Sequence, residues 1–205
     1  MHRNCHARAG AIAAALALLL TGCAQPGPGA AVGAPAPVSA AAAPARGLDQ
    51  ALMAAASADQ AATLKTLEQL VNIETGTGNA EGMAAMANFL EGELKALGAT
   101  VTRHKADAGV VGENIVGRIA GKGTAKLLLM AHMDTVYVKG TLAKAPFRVE
   151  GNRAYGPGIA DDKGGIAVIL HALKLLKAQG FNQWGEVVVL FNTDEEKGSF
   201  GSRAL

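Results

Sequence analysis

Hydrophobic residues recur at helical spacing in three segments of the chain. The first stripe runs through residues 64–71, and the second runs through residues 83–97 and stops at Gly98. The third segment, residues 164–179, is strongly apolar and is followed by Gly180. Because glycine readily adopts the left-handed conformation that ends many helices, both glycines support these boundaries. The pattern therefore predicts three helices, each with an apolar face to bury.

Other segments have patterns typical of β-strands. Residues 100–104 alternate in polarity, which predicts a strand exposed on one face, and residues 114–119 predict a second strand. Residues 127–131 form an unbroken apolar run typical of a strand that helices cover on both sides, and residues 187–191 predict another buried strand. Residues 151–152, Gly-Asn, indicate a hairpin turn. We therefore expect an α/β domain of three layers, with helices on both faces of a sheet.

The first 22 residues have the features of an export signal. A basic start with Arg3 and Arg8 precedes an apolar run over residues 11–20, which is too short to span a membrane as a mature helix. The pattern predicts a protein that is exported to the periplasm or cell envelope.

The end of this signal adds a second expectation. The run Leu20-Thr21-Gly22-Cys23 resembles the bacterial lipoprotein signal, in which the cysteine receives the lipid, although an ordinary cleaved signal is the alternative. Residues 23–47 are rich in Ala, Pro and Gly and have no periodicity, which predicts a flexible tether. We expect a folded domain over residues 48–205 that is held at a membrane through a lipid on Cys23.

Composition excludes several classes of function. Of the 19 Lys and Arg residues, Arg3 and Arg8 lie in the leader, and the remaining 17 equal the 17 Asp and Glu residues. A body with no net charge gives no electrostatic argument for nucleic acid as a partner. The two cysteines, Cys5 and Cys23, both lie in the leader region, so a disulfide framework and a thiolate metal site are excluded. Any metal must be held by histidine and carboxylate ligands.

Polar residues follow the predicted buried strands. His132-Met133-Asp134 comes directly after residues 127–131, so His132 and Asp134 could lie on one side of an extended segment. A carboxylate beside a metal-bound imidazole commonly accepts its second N–H and fixes the tautomer. A hydrogen-bonded structural histidine is the alternative for this motif alone.

Two acidic clusters complete the set. Asp161 and Asp162 lie in a glycine-rich turn just before the third predicted helix, where helix capping would explain one of them and a carboxylate shared by two metals would explain the other. Asp194-Glu195-Glu196 follows residues 187–191, and the alternative for it is a solvated acidic loop. All three clusters lie where open α/β sheets place their sites, beyond the carboxyl ends of strands. Together they indicate one metal site.

These motifs carry a resemblance to a known family. The segments 132–136, 156–164 and 193–196 resemble the signature motifs of the aminoacylase and carboxypeptidase family of co-catalytic zinc metallopeptidases. Segments 72–78, 143–149 and 197–203 are similar to those of its bacterial, folate-hydrolysing glutamate carboxypeptidases. The resemblance implies a three-layer αβα zinc-exopeptidase catalytic domain.

The resemblance also implies a role for each residue. His132 would bind one zinc ion, Asp161 would bridge both ions, and Glu196 would bind the other. Glu195 would be the general base, and Asp134 would support His132. In this family the peptide bond after the bridging aspartate is cis.

The reaction implied is zinc-dependent removal of a C-terminal amino acid, glutamate above all, from folate-like or N-acyl substrates that carry a terminal carboxylate. An aminoacylase-type amidohydrolase is one alternative, and a non-catalytic, lipid-anchored domain is another.

The ligand set in this sequence is incomplete by the family pattern. A catalytic zinc usually has three protein ligands, yet the assignment gives each ion only two. The family supplies a further acid, a distal histidine and a second domain, for dimerisation and substrate binding, beyond the position of Leu205. His104 and His171 are poor substitutes, because one lies in a polar strand pattern and the other in an apolar helix. We therefore expect a truncated chain with little activity alone, and a homodimer for a full-length form.

Overall fold

A computed structural model describes residues 49–107 and 109–205. The predicted signal, the predicted tether and Cys23 lie outside the described residues. Among the residues that are described, no helix has both the length and the apolar character needed to cross a membrane.

The three predicted helices are confirmed, and an additional helix precedes them. Gly98 and Gly180 have positive φ angles directly after the second and third predicted helices, as the sequence indicated. Asp49 caps the additional first helix by accepting a hydrogen bond from the Leu52 amide. The helices are α1 (Gln50–Ala58), α2 (Gln60–Val71), α3 (Ala80–Ala96), the short α4 (Thr141–Lys144) and α5 (Gly164–Ala178).

All the predicted strands are present, and they form two sheets. The strands are β1 (Thr100–Lys105), β2 (Glu113–Ala120), β3 (Lys126–His132), β4 (Arg148–Glu150), β5 (Arg153–Tyr155) and β6 (Glu186–Asn192). The larger sheet has the order β1-β2-β6-β3, in which only the β3 and β6 pair is parallel. The β4 and β5 strands form the predicted hairpin around residues 151–152.

One face of the larger sheet forms the hydrophobic core with helices α2, α3 and α5. Val187, Val189 and Phe191 of β6 point into this core and are almost fully buried, and Leu90 of α3 is buried with them. Burying a side chain of this size contributes about 1.5 to 3 kcal/mol. The core therefore fixes β6 and the elements beside it as a rigid support.

The opposite face of the larger sheet contradicts the expectation that helices cover residues 127–131 on both sides. Residues 127–131 do form a strand, but β3 lies at the edge of the sheet, and the side chains of Leu128 and Met130 are each 58% exposed. Within residues 49–107 and 109–205, the α-helices that contact the strands lie on the core face. The α/β fold class is confirmed, and the described residues supply two of its three predicted layers.

The parallel pairing of β3 and β6 positions the polar clusters. His132, the last residue of β3, is directly opposite Asn192, the last residue of β6. The segments that follow the two strands therefore leave the same edge of the sheet side by side.

Candidate metal centre

His132 and Asp134 form the buried part of the site. His132 Nδ1 lies 3.0 Å from the carbonyl oxygen of Asp134 and 3.2 Å from its carboxylate Oδ1. Either contact places the Nδ1 proton toward Asp134, which leaves Nε2 free to act as a ligand. The structure thus provides the contact that the sequence suggested between the imidazole and its supporting carboxylate.

Asp134 also connects three segments of the chain. Its carboxylate accepts a 2.7 Å hydrogen bond from the Thr77 hydroxyl and backbone hydrogen bonds of 3.0 and 3.3 Å from the amides of Glu195 and Glu196. Burial raises the pKa of Asp134, but hydrogen bonds from His132 and Thr77 outweigh it and lower the pKa below its usual value. Thr77 was not among the residues predicted from the sequence, and its only signal there is its place in the polar, glycine-containing stretch 74–79.

Asp161 faces His132 from the turn before α5. Its Oδ1 lies 2.9 Å from His132 Nε2, and the peptide bond between Asp161 and Asp162 is cis, as the resemblance implied. Asp162 instead accepts a 3.2 Å hydrogen bond from the amide of Gly165, in the first turn of α5. The two aspartates therefore have different functions, and capping explains only Asp162.

A glycine allows this turn to approach β3 closely. Gly158 has a φ of 74°, and a Cβ atom there would lie 2.5 Å from Cγ2 of Thr135. A larger residue at position 158 would be strained by the positive φ and would have to displace either the Thr135 side chain or the turn.

Glu195 and Glu196 lie in a short 3-10 helix that follows β6. Glu195 Oε2 is 3.8 Å from His132 Nε2. Glu196 Oε1 is buried and has no hydrogen-bond partner in the protein. Burial and the nearby charge of Asp161 raise the pKa of Glu196. A buried carboxylate oxygen without a partner fits a position where a cation would bind.

Three of these residues form a group that could hold a metal. One potential ligand atom from each of His132, Asp161 and Glu196 lies within 4.8 Å of the others. Burial lowers the pKa of His132, but hydrogen bonds with Asp134 and Asp161 raise it to about 9. A proton thus balances part of the negative charge in the structure, and a divalent cation could replace it. The donor set of one imidazole and several carboxylates suits zinc and other divalent ions.

Lys163 and Glu74 are two further charged groups that sequence analysis missed. Lys163 Nζ donates a 2.7 Å hydrogen bond to the carbonyl of Ile73, and burial lowers the pKa of this lysine to about 8. The carboxylate of Glu74 accepts hydrogen bonds from the amides of Gly140 and Leu142, at the start of α4. Both interactions fix loops around the candidate metal centre.

The other two histidines of the described domain lie elsewhere. His171 is buried, with Nδ1 2.6 Å from Asp59 and Nε2 2.8 Å from Thr66, so it is a hydrogen-bonded core histidine as expected. His104 lies on β1, at the opposite edge of the sheet from β3.

Two cavities meet at Glu196. The first has a volume of about 370 Å³ and a mixed lining, in which Val136, Tyr137 and Val138 lie beside polar and charged residues; we call it the basic cavity after Lys139 and Lys197. The second has a volume of about 290 Å³ and extends to Asp161, and we call it the aromatic cavity; its lining includes Tyr137 and Tyr155. Val136 and Tyr137 line both cavities, so the two differ chiefly in the lysines of the first and in Tyr155 and Asp161 of the second.

Comparisons with known proteins agree with this arrangement. The model of peptidase family M20/M25/M40 matches residues 128–205, which include all three polar clusters. Carboxypeptidase G2 of Pseudomonas sp. (strain RS-16) is 70% identical over 157 residues, a match that covers 77% of this chain. Acetylornithine deacetylase of Yersinia pseudotuberculosis is 35% identical over 130 residues, or 58% of this chain.

A solved structure gives the same result for the fold. A tripeptidase from Staphylococcus aureus has a TM-score of 0.60 and 28% identity, and the alignment covers 70% of this chain and 39% of the tripeptidase. The chain spans 38% of the length of Carboxypeptidase G2 and 32% of the length of the deacetylase. The family resemblance is confirmed, and the chain belongs to peptidase family M20/M25/M40.

Proposed function

We propose that this chain carries the catalytic metal centre of a metallocarboxypeptidase that releases a C-terminal amino acid, glutamate in particular, from folate-like or N-acyl substrates. The observation that carries the proposal is the convergence of His132, Asp161 and Glu196, with the carboxylate of Glu195 beside them. The 70% identity to Carboxypeptidase G2 supports a carboxypeptidase. An aminoacylase-type amidohydrolase is the second candidate, favoured by the 35% identity to acetylornithine deacetylase.

We assign the metal ligands to two zinc ions. His132 would bind one ion through Nε2, Glu196 would bind the other, and Asp161 would bridge them. Bound zinc would polarise the scissile carbonyl and make water a stronger nucleophile. Asp134 would keep the Nδ1 proton of His132 in place, so that the neutral ring presents the lone pair of Nε2 to the metal.

Glu195 would be the general base. Its side chain is 54% exposed beside the candidate ligands, so its carboxylate can reach a water molecule and the substrate. In this assignment Glu195 accepts a proton from the attacking water and then passes it to the departing amine. Glu196, the next residue, would keep its carboxylate on the metal.

The two cavities support a substrate with one aromatic end and one acidic end. We place the acyl group of a folate-like substrate against Tyr137 and Tyr155 in the aromatic cavity. The carboxylates of the released glutamate would face Lys197 in the basic cavity.

An exchange of homologous segments tests the activity. The 157 matched residues of this chain would replace those of Carboxypeptidase G2, and glutamate release from pteroylglutamate would be measured with added zinc. We expect zinc-dependent release by the chimera and a loss of about 10² to 10⁴-fold in kcat for Glu195→Gln, with zinc retained. Asp162→Asn is the matched control, because Asp162 caps a helix and has no proposed catalytic role.

Two outcomes would contradict the proposal in different ways. A well-folded chimera that does not release glutamate would contradict the activity. If Glu195→Gln lost zinc instead of turnover, the roles of Glu195 and Glu196 would be reversed.

We further propose that the protein is exported and lipid-anchored through Cys23, and that a full-length form is a homodimer. The lipoprotein-type run that ends at Cys23 motivates the anchor. Metabolic labelling with a radioactive fatty acid should label the wild-type protein, and label on a Cys23→Ser variant would contradict the anchor.

A further inference from the structure

Lys163 is the one lysine with a fully buried side chain among residues 49–107 and 109–205. Its relative exposure is 1%, and its ammonium donates a 2.7 Å hydrogen bond to the backbone carbonyl of Ile73. Placing an ammonium away from water costs several kcal/mol unless its interactions compensate for it. A methionine would fill similar space without that cost, so packing alone does not account for a lysine here.

The Lys163 hydrogen bond connects the two parts of the chain that build the metal centre. Lys163 lies two residues after Asp161, at the end of the same turn. Ile73 begins the segment that leads to Thr77, whose hydroxyl contacts the carboxylate of Asp134. Lys163 therefore links the turn that carries Asp161 to the segment that supports His132 through Asp134.

The segment that accepts this hydrogen bond is itself fixed to the end of β3. Thr77 donates its amide to the carbonyl of Thr135, and Thr135 donates its amide to the carbonyl of Thr75. Glu74, next to Ile73, holds the amides at the start of α4. Ile73 thus provides a rigid anchor point for the Lys163 ammonium.

The turn has internal hydrogen bonds, from the Lys163 amide to the Gly158 carbonyl and from the Gly165 amide to Asp162, but the Asp161 carboxylate itself has little to hold it in place. Residues 161 and 162 have non-helical backbone angles, and the side chain of Asp161 is 72% exposed. Among the described residues, the one hydrogen bond of its carboxylate, to His132 Nε2, joins two groups that would both be occupied by a bound metal. The backbone of the turn must therefore set the position of Asp161 once metal is present, and the Lys163 hydrogen bond ties that backbone to the segment that supports His132 through Asp134.

We propose that Lys163 is a positioning residue that sets the distance between Asp161 and the His132 and Asp134 pair by its hydrogen bond to Ile73. This inference rests on the proposed metal centre. It predicts that the Lys163 hydrogen bond contributes to metal affinity through Asp161, without contact between Lys163 and the metal.

The test compares two lysines that make the same kind of hydrogen bond. Lys177 also donates a 2.7 Å hydrogen bond to a backbone carbonyl, that of Ala96, but it is exposed and lies near the other end of α5. Zinc affinity of the 205-residue chain would be measured by competition with a chromophoric chelator. We expect Lys163→Met to weaken zinc binding about 10-fold or more, and Lys177→Met to leave it unchanged.

A double-variant cycle separates positioning from a general structural role. If Lys163 acts through Asp161, Lys163→Met should weaken zinc binding much less in an Asp161→Asn background than in the wild type. Equal effects in the two backgrounds would overturn the inference. Lys163→Gln keeps a hydrogen-bond donor, but its side chain is too short to reach Ile73. It should therefore behave like Lys163→Met, and it replaces that variant if Lys163→Met does not fold.

The outcomes also separate this inference from the proposed function. A folded wild-type chain that does not bind zinc would overturn both. Zinc binding by the wild type together with an unchanged affinity of Lys163→Met would overturn the role of Lys163 alone.

Discussion

The candidate metal centre has two halves that are held in different ways. The inner half, His132 and Asp134, has side chains that are 7% and 0% exposed, and it follows β3 at the edge of the core. The outer half, Asp161 and Glu195, has side chains that are 72% and 54% exposed. One half is thus part of the folded interior, whereas the other faces solvent.

This difference separates stability from binding. Asp134 accepts hydrogen bonds from a hydroxyl and two amides, so its charge is compensated within the protein and contributes to folding. The outer carboxylates repel one another in the absence of a cation, so their placement serves ligand binding at some cost to stability. Variants of the inner half should therefore change the free energy of unfolding most, whereas variants of the outer half should change mainly the metal affinity.

The largest effect should come from matched substitutions in the two halves. Asp134→Asn replaces a buried acceptor with a group whose NH₂ faces hydrogen-bond donors, so we expect a loss of about 2 kcal/mol in the free energy of unfolding. Zinc affinity should fall about 10 to 100-fold as well. Asp161→Asn should weaken zinc binding but lower the free energy of unfolding by less than Asp134→Asn does, because the Asp161 side chain is 72% exposed and solvent screens its interaction with His132.

Denaturant unfolding with a chelator present, together with chelator competition for zinc, measures both quantities. If Asp161→Asn destabilised the metal-free chain as much as Asp134→Asn, the distinction between the two halves would be wrong.

A smaller effect should appear in the pH dependence of the metal-free chain. The pKa of His132 is raised from 6.5 to about 9 in the fold, because hydrogen bonds with Asp134 and Asp161 outweigh the effect of burial. The protonated imidazole therefore stabilises the fold fully below pH 6.5, and this contribution is lost as the pH rises through about 9. Zinc binding, which requires the neutral ring, should strengthen over the same interval.

The comparison requires unfolding curves in chelator at about pH 6 and about pH 9.5 for the wild type and for His132→Gln. The wild type should lose more stability between the two pH values than the variant does. Equal losses would show that His132 is not the titrating group.

The smallest effect concerns one hydroxyl group of the inner half. Thr77→Val removes the 2.7 Å hydrogen bond to Asp134, and we expect a loss of about 1 kcal/mol in the free energy of unfolding. Thr141→Val is the matched control, because its hydroxyl makes an equally short hydrogen bond to Val138 on the exposed surface. Thermal unfolding of both variants measures the difference, and equal losses would contradict a special role for the buried hydroxyl.

Much of the fold could be predicted because its signals are local. The ends of α3 and α5 were predicted from Gly98 and Gly180, and the β4 and β5 hairpin from residues 151–152. The environment of β3 was predicted wrongly, since the apolar run over residues 127–131 indicated helices on both sides. An apolar run fixes the preference of a segment for burial, but its position within a sheet depends on other strands.

The candidate site shows the same division. The sequence identified His132, Asp134 and Asp161 by residue type and by their place after predicted strands and before a helix. It did not identify Thr77 or Lys163, because a threonine in a polar loop and a lysine after two aspartates normally lie in solvent. Their contacts join segments that are 57 and 90 residues apart in the chain.

The sequence by itself determined the element types and the family, and it predicted which residues could serve as metal ligands, because hydrophobic periodicity and motif chemistry act over short distances along the chain. Only the tertiary structure decided that β3 lies beside β6, that Asp134 accepts the amides of Glu195 and Glu196, and that the buried Lys163 reaches Ile73. Strand order and burial arise from contacts between distant segments, and those contacts exist only after the chain has folded.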